Sequence, residues 1–225
     1  MLFKSFIAAL AGSSLVAAHG KIAVVYGDKG GNTTAIGILG GMVPGAGDNS
    51  ATELDTTVFS STNIATDGLG ETAGLGPNTQ DLVGKAMALS GLQNPLPQVS
   101  RSGGTISGVF HIVTTDGAGP VAAIVDPTGT GKFSTGVPAQ IIAQVPGSGG
   151  NISPAGTVRR RGLHSGGLVK RADNVNRDYP VSVAIPAGTK CTGIMAGQYN
   201  VCFLKIANSN ANGPFGGVVA FQMVD

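Results

Sequence analysis

Tryptophan is absent from the 225-residue sequence, and aromatic residues make up only 5% of it. A carbohydrate-binding platform of tryptophan rings is therefore excluded, although tyrosines can replace such rings in part. Charge is also scarce, because 14 basic and 12 acidic residues give a net charge of +2. This surplus is too small to attract an acidic polymer, so we expect no nucleic-acid partner.

Sustained helical periodicity is missing as well. Short apolar or alternating segments are separated by turn-forming residues, and the chain holds 37 glycines and 12 prolines. This pattern is typical of an all-β protein. We predict one immunoglobulin- or fibronectin-like β-sandwich over residues 19–225, with long loops and at most one or two short helices. The predicted strands are 21–26, 56–59, 106–114, 121–126, 139–145, 181–185, 201–206 and 218–224, and the predicted helix is 80–89.

The only long hydrophobic run lies at the N-terminus. Lys4 precedes an apolar stretch over residues 6–16, and Ala18 ends a run of small residues suited to cleavage. This arrangement predicts a signal peptide over residues 1–18. The alternative, a membrane anchor, needs about 20 apolar residues, more than the run provides. We therefore expect a secreted monomer without a membrane span, located outside the cell or in the cell wall.

Cysteine occurs only twice, at Cys191 and Cys202. The oxidising secretory route and the short separation favour a disulfide between them. The alternative, a metal site with two thiolates, lacks further cysteine or nearby histidine ligands. Asn32 and Asn151 each begin an N-glycosylation sequence, and Pro154 weakens the second.

Basic residues concentrate in residues 147–179, which we predict to be an exposed loop. The pairs Arg160-Arg161 and Lys170-Arg171 are dibasic sites that a processing protease of the secretory pathway can cut. The alternative is a solvated loop that stays intact. His164 lies inside this segment, and its basic neighbours make it a poor ligand for a cation.

Several catalytic motifs are absent. Residues 126–133 resemble a phosphate-binding loop, but Asp126 replaces its first glycine and Phe133 its magnesium-binding hydroxyl, so we interpret the segment as a turn. No G-x-S-x-G nucleophile motif occurs. Four carboxylates offer a glycosidase pair in principle, and solvated loop charges are the alternative. They are Glu53, Asp55, Asp67 and Glu71.

Cleavage after Ala18 makes His19 the first residue of the mature chain. An N-terminal histidine offers its α-amine and its imidazole Nδ1 to one metal ion, and a second imidazole completes a three-nitrogen set that suits copper. His111 lies on the strand face opposite to Phe110 and Ile112, the less apolar face, and is the candidate second ligand. The alternative is that cleavage at a histidine is accidental and that His111 is satisfied locally.

Five segments, in order along the chain, resemble the Egh16-like family of fungal virulence factors. They are DTTVF at 55–59, FHIVTTDGAGP at 110–120, QVPG at 144–147, AGTKCTG at 187–193, and GPFGG within 208–222. The resemblance implies a secreted fungal protein associated with appressoria and host penetration. Unlike its apparent relatives, this chain keeps only the C-terminal cysteine pair and has Ile112 where they tend to have glutamine.

The family resemblance further implies a relationship to lytic polysaccharide monooxygenases, whose sandwich fold carries a copper histidine brace. His19 and His111 would hold one copper ion, Gln222 would orient the oxygen species, and Phe215 or Phe221 would lie near the axial position. The substrate would be a cell-wall polysaccharide, such as chitin, glucan or a plant or insect surface polymer. Two alternatives stay open: a noncatalytic copper-binding surface protein, and a structural or adhesive cell-wall protein without metal.

Overall fold

A computed structural model describes residues 19–38, 53–91, 96–158 and 172–225. Thirteen strands, one α-helix and one short 3₁₀ helix, Phe133–Thr135, occur in these ranges. The strands are β1 Gly20–Gly27, β2 Gly30–Thr33, β3 Thr57–Val58, β4 Glu71–Thr72, β5 Gly76–Pro77, β6 Gln98–Ser100, β7 Gly104–Thr114, β8 Val121–Asp126, β9 Val137–Ala143, β10 Asn174–Ile185, β11 Gly193–Met195, β12 Gln198–Asn208 and β13 Phe215–Val224, and the helix α1 is Leu82–Leu89.

The all-β prediction is confirmed, and each predicted strand overlaps an observed one. The largest difference is β10, which begins at Asn174 and not near Val181. Its first half is polar and mostly exposed, so it lacks the apolar alternation that marks a strand in a sequence. The predicted loop over 147–179 therefore ends earlier than expected, before Asn174. Both dibasic pairs and His164 fall within residues 159–171, which lie outside the described residues.

Two sheets are joined through one shared strand. The order β2-β1-β7-β10-β9 forms the first sheet, and β9 continues into the second, β8-β12-β13-β3-β4-β5. Neighbours on this path are antiparallel, whereas β6 joins β13 in a parallel pairing. Because β9 belongs to both sheets, the strands form one continuous path with two layers. The two layers can pack face to face, as in a β-sandwich.

The central strands of the second sheet, β8, β12 and β13, bury side chains on both faces. In β12, Cys202, Leu204 and Ile206 enter the core between the sheets. Val201 and Phe203 alternate with them and enter a second core on the outer face. Side chains from the 59–69 loop, α1 and the 3₁₀ helix cover that outer face, notably Phe59, Leu69, Val83 and Phe133. Strand alternation thus explains why β12 reads as an almost continuous apolar run.

The segment that resembles a phosphate-binding loop is a turn, as predicted. Oδ1 of Asp126 accepts the N–H of Thr128 at 2.8 Å and its hydroxyl at 2.6 Å. Oδ2 of Asp126 accepts the N–H of Gly131 at 2.8 Å. The carboxylate therefore accepts main-chain N–H groups of the loop and closes it internally.

The predicted disulfide between Cys191 and Cys202 is confirmed, with a Cα separation of 4.9 Å. It ties the segment before β11 to the buried part of β12. Among the helices of the described ranges, none is long and apolar enough to cross a membrane.

Replacing both Cys191 and Cys202 by alanine is expected to lower the free energy of unfolding by about 3 kcal/mol, because the bridge closes a short loop in the unfolded chain. Denaturant unfolding of the variant beside wild type measures the difference, and reduced wild type serves as the control. Equal stability of variant and oxidised wild type would contradict this expectation.

Candidate functional site

His19 and His111 lie next to each other on paired segments of the first sheet. His111 of β7 is opposite Lys21 of β1 on one side and Asp178 of β10 on the other. Directly opposed residues share one face of a sheet, so these three form a row across it. The carbonyl oxygen of His19 accepts the N–H of Val113 at 2.9 Å. This contact places His19 diagonally across from His111, at a Cα separation of about 7–8 Å in a regular sheet.

The two nitrogens of the His111 imidazole have different surroundings. Nδ1 lies 2.7 Å from Oδ1 of Asp178. An ionised carboxylate only accepts hydrogen bonds, so Nδ1 is the donor in this contact, and in the neutral form of the ring the lone pair therefore lies on Nε2. Nε2 is buried and has no hydrogen-bond partner among the residues that the structure describes. A buried imidazole lone pair in this state is available to a metal ion.

Both histidines are more buried than the sequence predicts. His111 lies on the strand face opposite to Phe110, as expected, but its exposed fraction is only 1%, and that of His19 is 6%. The same face carries Lys21 of β1, opposite His111, and Lys21 is itself buried beside Asp55. Asp178 is 46% exposed, so the row of side chains reaches solvent at its β10 end.

Both the main chain and the ring of His19 are packed against neighbouring residues. Its nitrogen donates to Oγ1 of Thr114 at 2.8 Å, and Thr114 donates to Oδ1 of Asp116 at 2.8 Å. The rings of His19 and Phe215 lie 5.8 Å apart between centroids. Gly117 packs so closely that a Cβ there would overlap the carbonyl oxygen of His19. The position of the His19 nitrogen is therefore set by neighbouring residues.

A buried ion pair lies beside the histidines. Nζ of Lys21 is 3.6 Å from Oδ2 of Asp55, and both side chains are almost fully enclosed. Burial lowers the pKa of Lys21, and the negative charges of Asp55 and Asp178 oppose that shift. Asp55, one of the four carboxylates interpreted as solvated loop charges, is thus committed to a buried pair. The other three, Glu53, Asp67 and Glu71, are at least partly exposed.

Asp116 is the second buried carboxylate of this region. Burial raises its pKa, and the hydrogen bond from Thr114 acts in the opposite direction. Through Thr114, this carboxyl group is linked to the main-chain nitrogen of His19. The Asp116 carboxyl group is therefore separated by one hydroxyl group from the position that an α-amine would occupy.

Only a few groups here can hold a metal ion. In the four described ranges, no cluster of three or more histidine, cysteine, aspartate or glutamate side chains is arranged to bind one. Two imidazoles and one main-chain amine form a set that needs no third side chain. The residues present fit such a set at His111 Nε2, with His19 as its neighbour and potential source of the amine.

Gln222 is not brought to the histidines. Phe215, the residue beside His19, begins β13, and Gln222 lies seven residues farther along it. Seven residues of strand span about 23 Å. The side-chain amide of Gln222 instead donates to the carbonyl oxygen of Tyr199 at 2.8 Å. The role expected for Gln222 therefore has no support in this geometry, and Phe221, deep in the core between the sheets, is also separated from the site.

The two predicted glycosylation positions differ in exposure. Asn151 is exposed, and its side-chain amide donates to the carbonyl oxygen of Gly149 at 2.8 Å. Asn32 is half-buried in β2, opposite Tyr26 of β1. Of the two, Asn151 offers more room for an attached glycan, and glycosylation at both stays a prediction.

Comparison with known proteins identifies the family. Residues 17–216 match the family described as Egh16-like virulence factor. The chain belongs to this family. A relative from Pyricularia oryzae, "Appressoria-specific virulence factor GAS1", is 34% identical over 225 residues, which cover 99% of this chain and 79% of the relative. "Appressoria-specific virulence factor GAS2" of the same fungus is 40% identical over 120 residues, 52% of this chain and 35% of the relative.

This Egh16-like chain contains site residues that sequence reasoning missed: Lys21, Thr114, Asp116 and Asp178. Strand alternation placed His111 on its face but gave no information about which strand lies beside it. The contact between Asp178 and His111 joins residues that are 67 positions apart in the chain, and it depends on the pairing of β7 with β10. The sequence did contain one indication that Lys21 has a special role. It is the only lysine of β1, in a strand that is otherwise apolar up to its final tyrosine and glycine.

Proposed function

We propose that this Egh16-like protein is a secreted, infection-associated fungal protein that holds one copper ion in a histidine brace of His19 and His111 and acts on cell-wall polysaccharide. The observation that carries the proposal is the buried Nε2 of His111, which has no hydrogen-bond partner in the described part of the chain. Cleavage after Ala18 is part of the proposal, because it creates the α-amine.

Each protein group has a defined task in this account. His111 binds through Nε2, while Asp178 fixes the orientation of the ring through Nδ1. His19 contributes its α-amine and its ring, and Thr114 holds the amine by its hydroxyl oxygen. Copper, when bound, supplies one-electron chemistry with oxygen or peroxide for attack on a glycan C–H bond.

A second candidate function, noncatalytic copper binding, is favoured by burial. In the chain that retains residues 1–18, His19 is only 6% and His111 only 1% exposed, so a polysaccharide chain has no direct access to the imidazoles there. The same donor set would then hold copper for storage or delivery. The two candidates share the metal site and differ only in turnover on a glycan.

A glycan oxidation assay tests the catalytic proposal. Protein beginning at His19, loaded with copper and supplied with ascorbate and peroxide, is incubated with chitin and β-glucan, and products are read by mass spectrometry. Oxidised oligosaccharides that disappear with His111→Ala support the proposal. Copper-loaded protein that yields no oxidised product from any polymer contradicts polysaccharide oxidation and leaves the noncatalytic candidate.

A further inference from the structure

A cleft on the outer face of the second sheet lies apart from the histidine site. It has a volume of about 190 Å³ and opens between the 59–64 loop and the adjoining ends of β8 and β12. Most of its wall is apolar, formed by Phe59, Ile64, Pro120, Val121 and Pro214. Lys205 is also one of its lining residues.

Lys205 is an unusual residue to find at this position. It lies on β12 with the alternation that points Phe203 and Ala207 to the outer core, and its exposed fraction is 1%. Its Nζ donates to the carbonyl oxygen of Thr66 at 2.6 Å. Nζ also lies 3.9 Å from the centroid of the Phe59 ring. A second ring, that of Phe133, has its centroid 5.3 Å from Nζ, so the ammonium group has one carbonyl oxygen and two aromatic rings beside it.

No carboxylate forms an ion pair with Lys205 within the described ranges. Asp67 is the nearest acidic influence, but its carboxylate accepts the N–H of Ser61 at 2.7 Å and the hydroxyl of Thr66 at 3.3 Å. Burial lowers the pKa of Lys205 to about 8, and the charge of Asp67 opposes this shift only in part. A buried cation that lacks a contacting anion gains from one supplied by a ligand.

We propose that this cleft binds a small carboxylate carried on a single apolar ring, with Lys205 as the group that recognises the carboxylate. Charge complementarity selects the anion, and the apolar wall selects the ring against a sugar acid or inorganic phosphate. The size agrees, since a cavity of about 150 Å³ already admits benzene. The proposal is independent of copper and of the processing at His19.

Benzoate is the test probe, titrated into the full chain and followed by calorimetry and by amide NMR shifts at the cleft. Saturable binding is expected, with benzamide weaker by about tenfold or more because it lacks the charge. Lys205→Met keeps the volume of the side chain and removes its charge, and it should lower benzoate affinity by a similar factor. Ala122→Trp, which changes an exposed residue of the cleft wall, should block benzoate while leaving Lys205 intact.

The pH dependence provides a second readout. Because a bound anion favours protonated Lys205, benzoate affinity should be constant at neutral pH and should fall as the pH rises above about 8. The proposal is overturned if benzoate does not bind to folded wild type, if benzamide binds equally well, or if Lys205→Met keeps full affinity. Preferential binding of galacturonate over benzoate also contradicts it, since the apolar wall would then play no part.

Discussion

Asp55→Ala is expected to destabilise the fold by about 3–5 kcal/mol, because it leaves the buried ammonium of Lys21 without its counter-charge. The two side chains are 1% and 2% exposed and lie 3.6 Å apart between Nζ and Oδ2. Solvent therefore cannot replace the lost carboxylate. Thermal and denaturant unfolding of the variant beside wild type measure the change.

A paired replacement separates the loss of charge from the loss of volume. Lys21→Met with Asp55→Leu removes both charges and keeps the space filled, and this double variant should recover most of the lost stability. Glu71→Gln is the matched control, since it removes a carboxylate that is exposed. An Asp55→Ala protein as stable as Glu71→Gln would show that the buried pair does not contribute as described.

Asp178→Asn is expected to weaken copper binding by about 10–100-fold, because the carboxylate that orients the His111 ring is replaced by a neutral amide. His111→Ala should abolish tight binding altogether, since it removes the ligand. Copper titration by calorimetry at constant pH measures both effects on protein that begins at His19.

Asp81→Asn provides the control for lost negative charge in general. Asp81 is exposed at the start of α1, and its side chain makes no capping hydrogen bond. Its replacement should leave copper affinity unchanged. If Asp178→Asn matches Asp81→Asn in affinity, the contact between Asp178 and His111 does not support a metal ligand.

The two cores illustrate how far the sequence predicts the fold. Period-two alternation marks β7, whose Ile106, Phe110 and Ile112 face the core between the sheets. The strands β8 and β13 bury apolar residues on both faces and are marked by nearly continuous apolar runs instead. Alternation fails for the first half of β10, where polar residues such as Arg177 and Asp178 form ladder bonds without burying apolar surface. Backbone pairing there is determined by the neighbouring strand β7, which local sequence does not report.

The two candidate metal ligands, His19 and His111, can be named from the sequence by chain position and strand face. The burial of Lys21 and Lys205 cannot, because it depends on covering segments that are distant in the sequence. Gln222 was placed by resemblance to the last strand of another family, and the length of β13 separates it from His19. Contacts between segments that are distant in the sequence determine both the burial of the two lysines and the separation of Gln222 from His19.

Copper binding by correctly processed protein tests the central claim most directly. Protein with His19 as its first residue is titrated with Cu(II) and examined by electron paramagnetic resonance, beside a form with one additional residue before His19 and beside His111→Ala. The account predicts one tight copper ion with nitrogen couplings, lost in both comparison proteins because the α-amine or an imidazole is missing. Weak binding, or binding that neither change affects, would contradict the histidine brace.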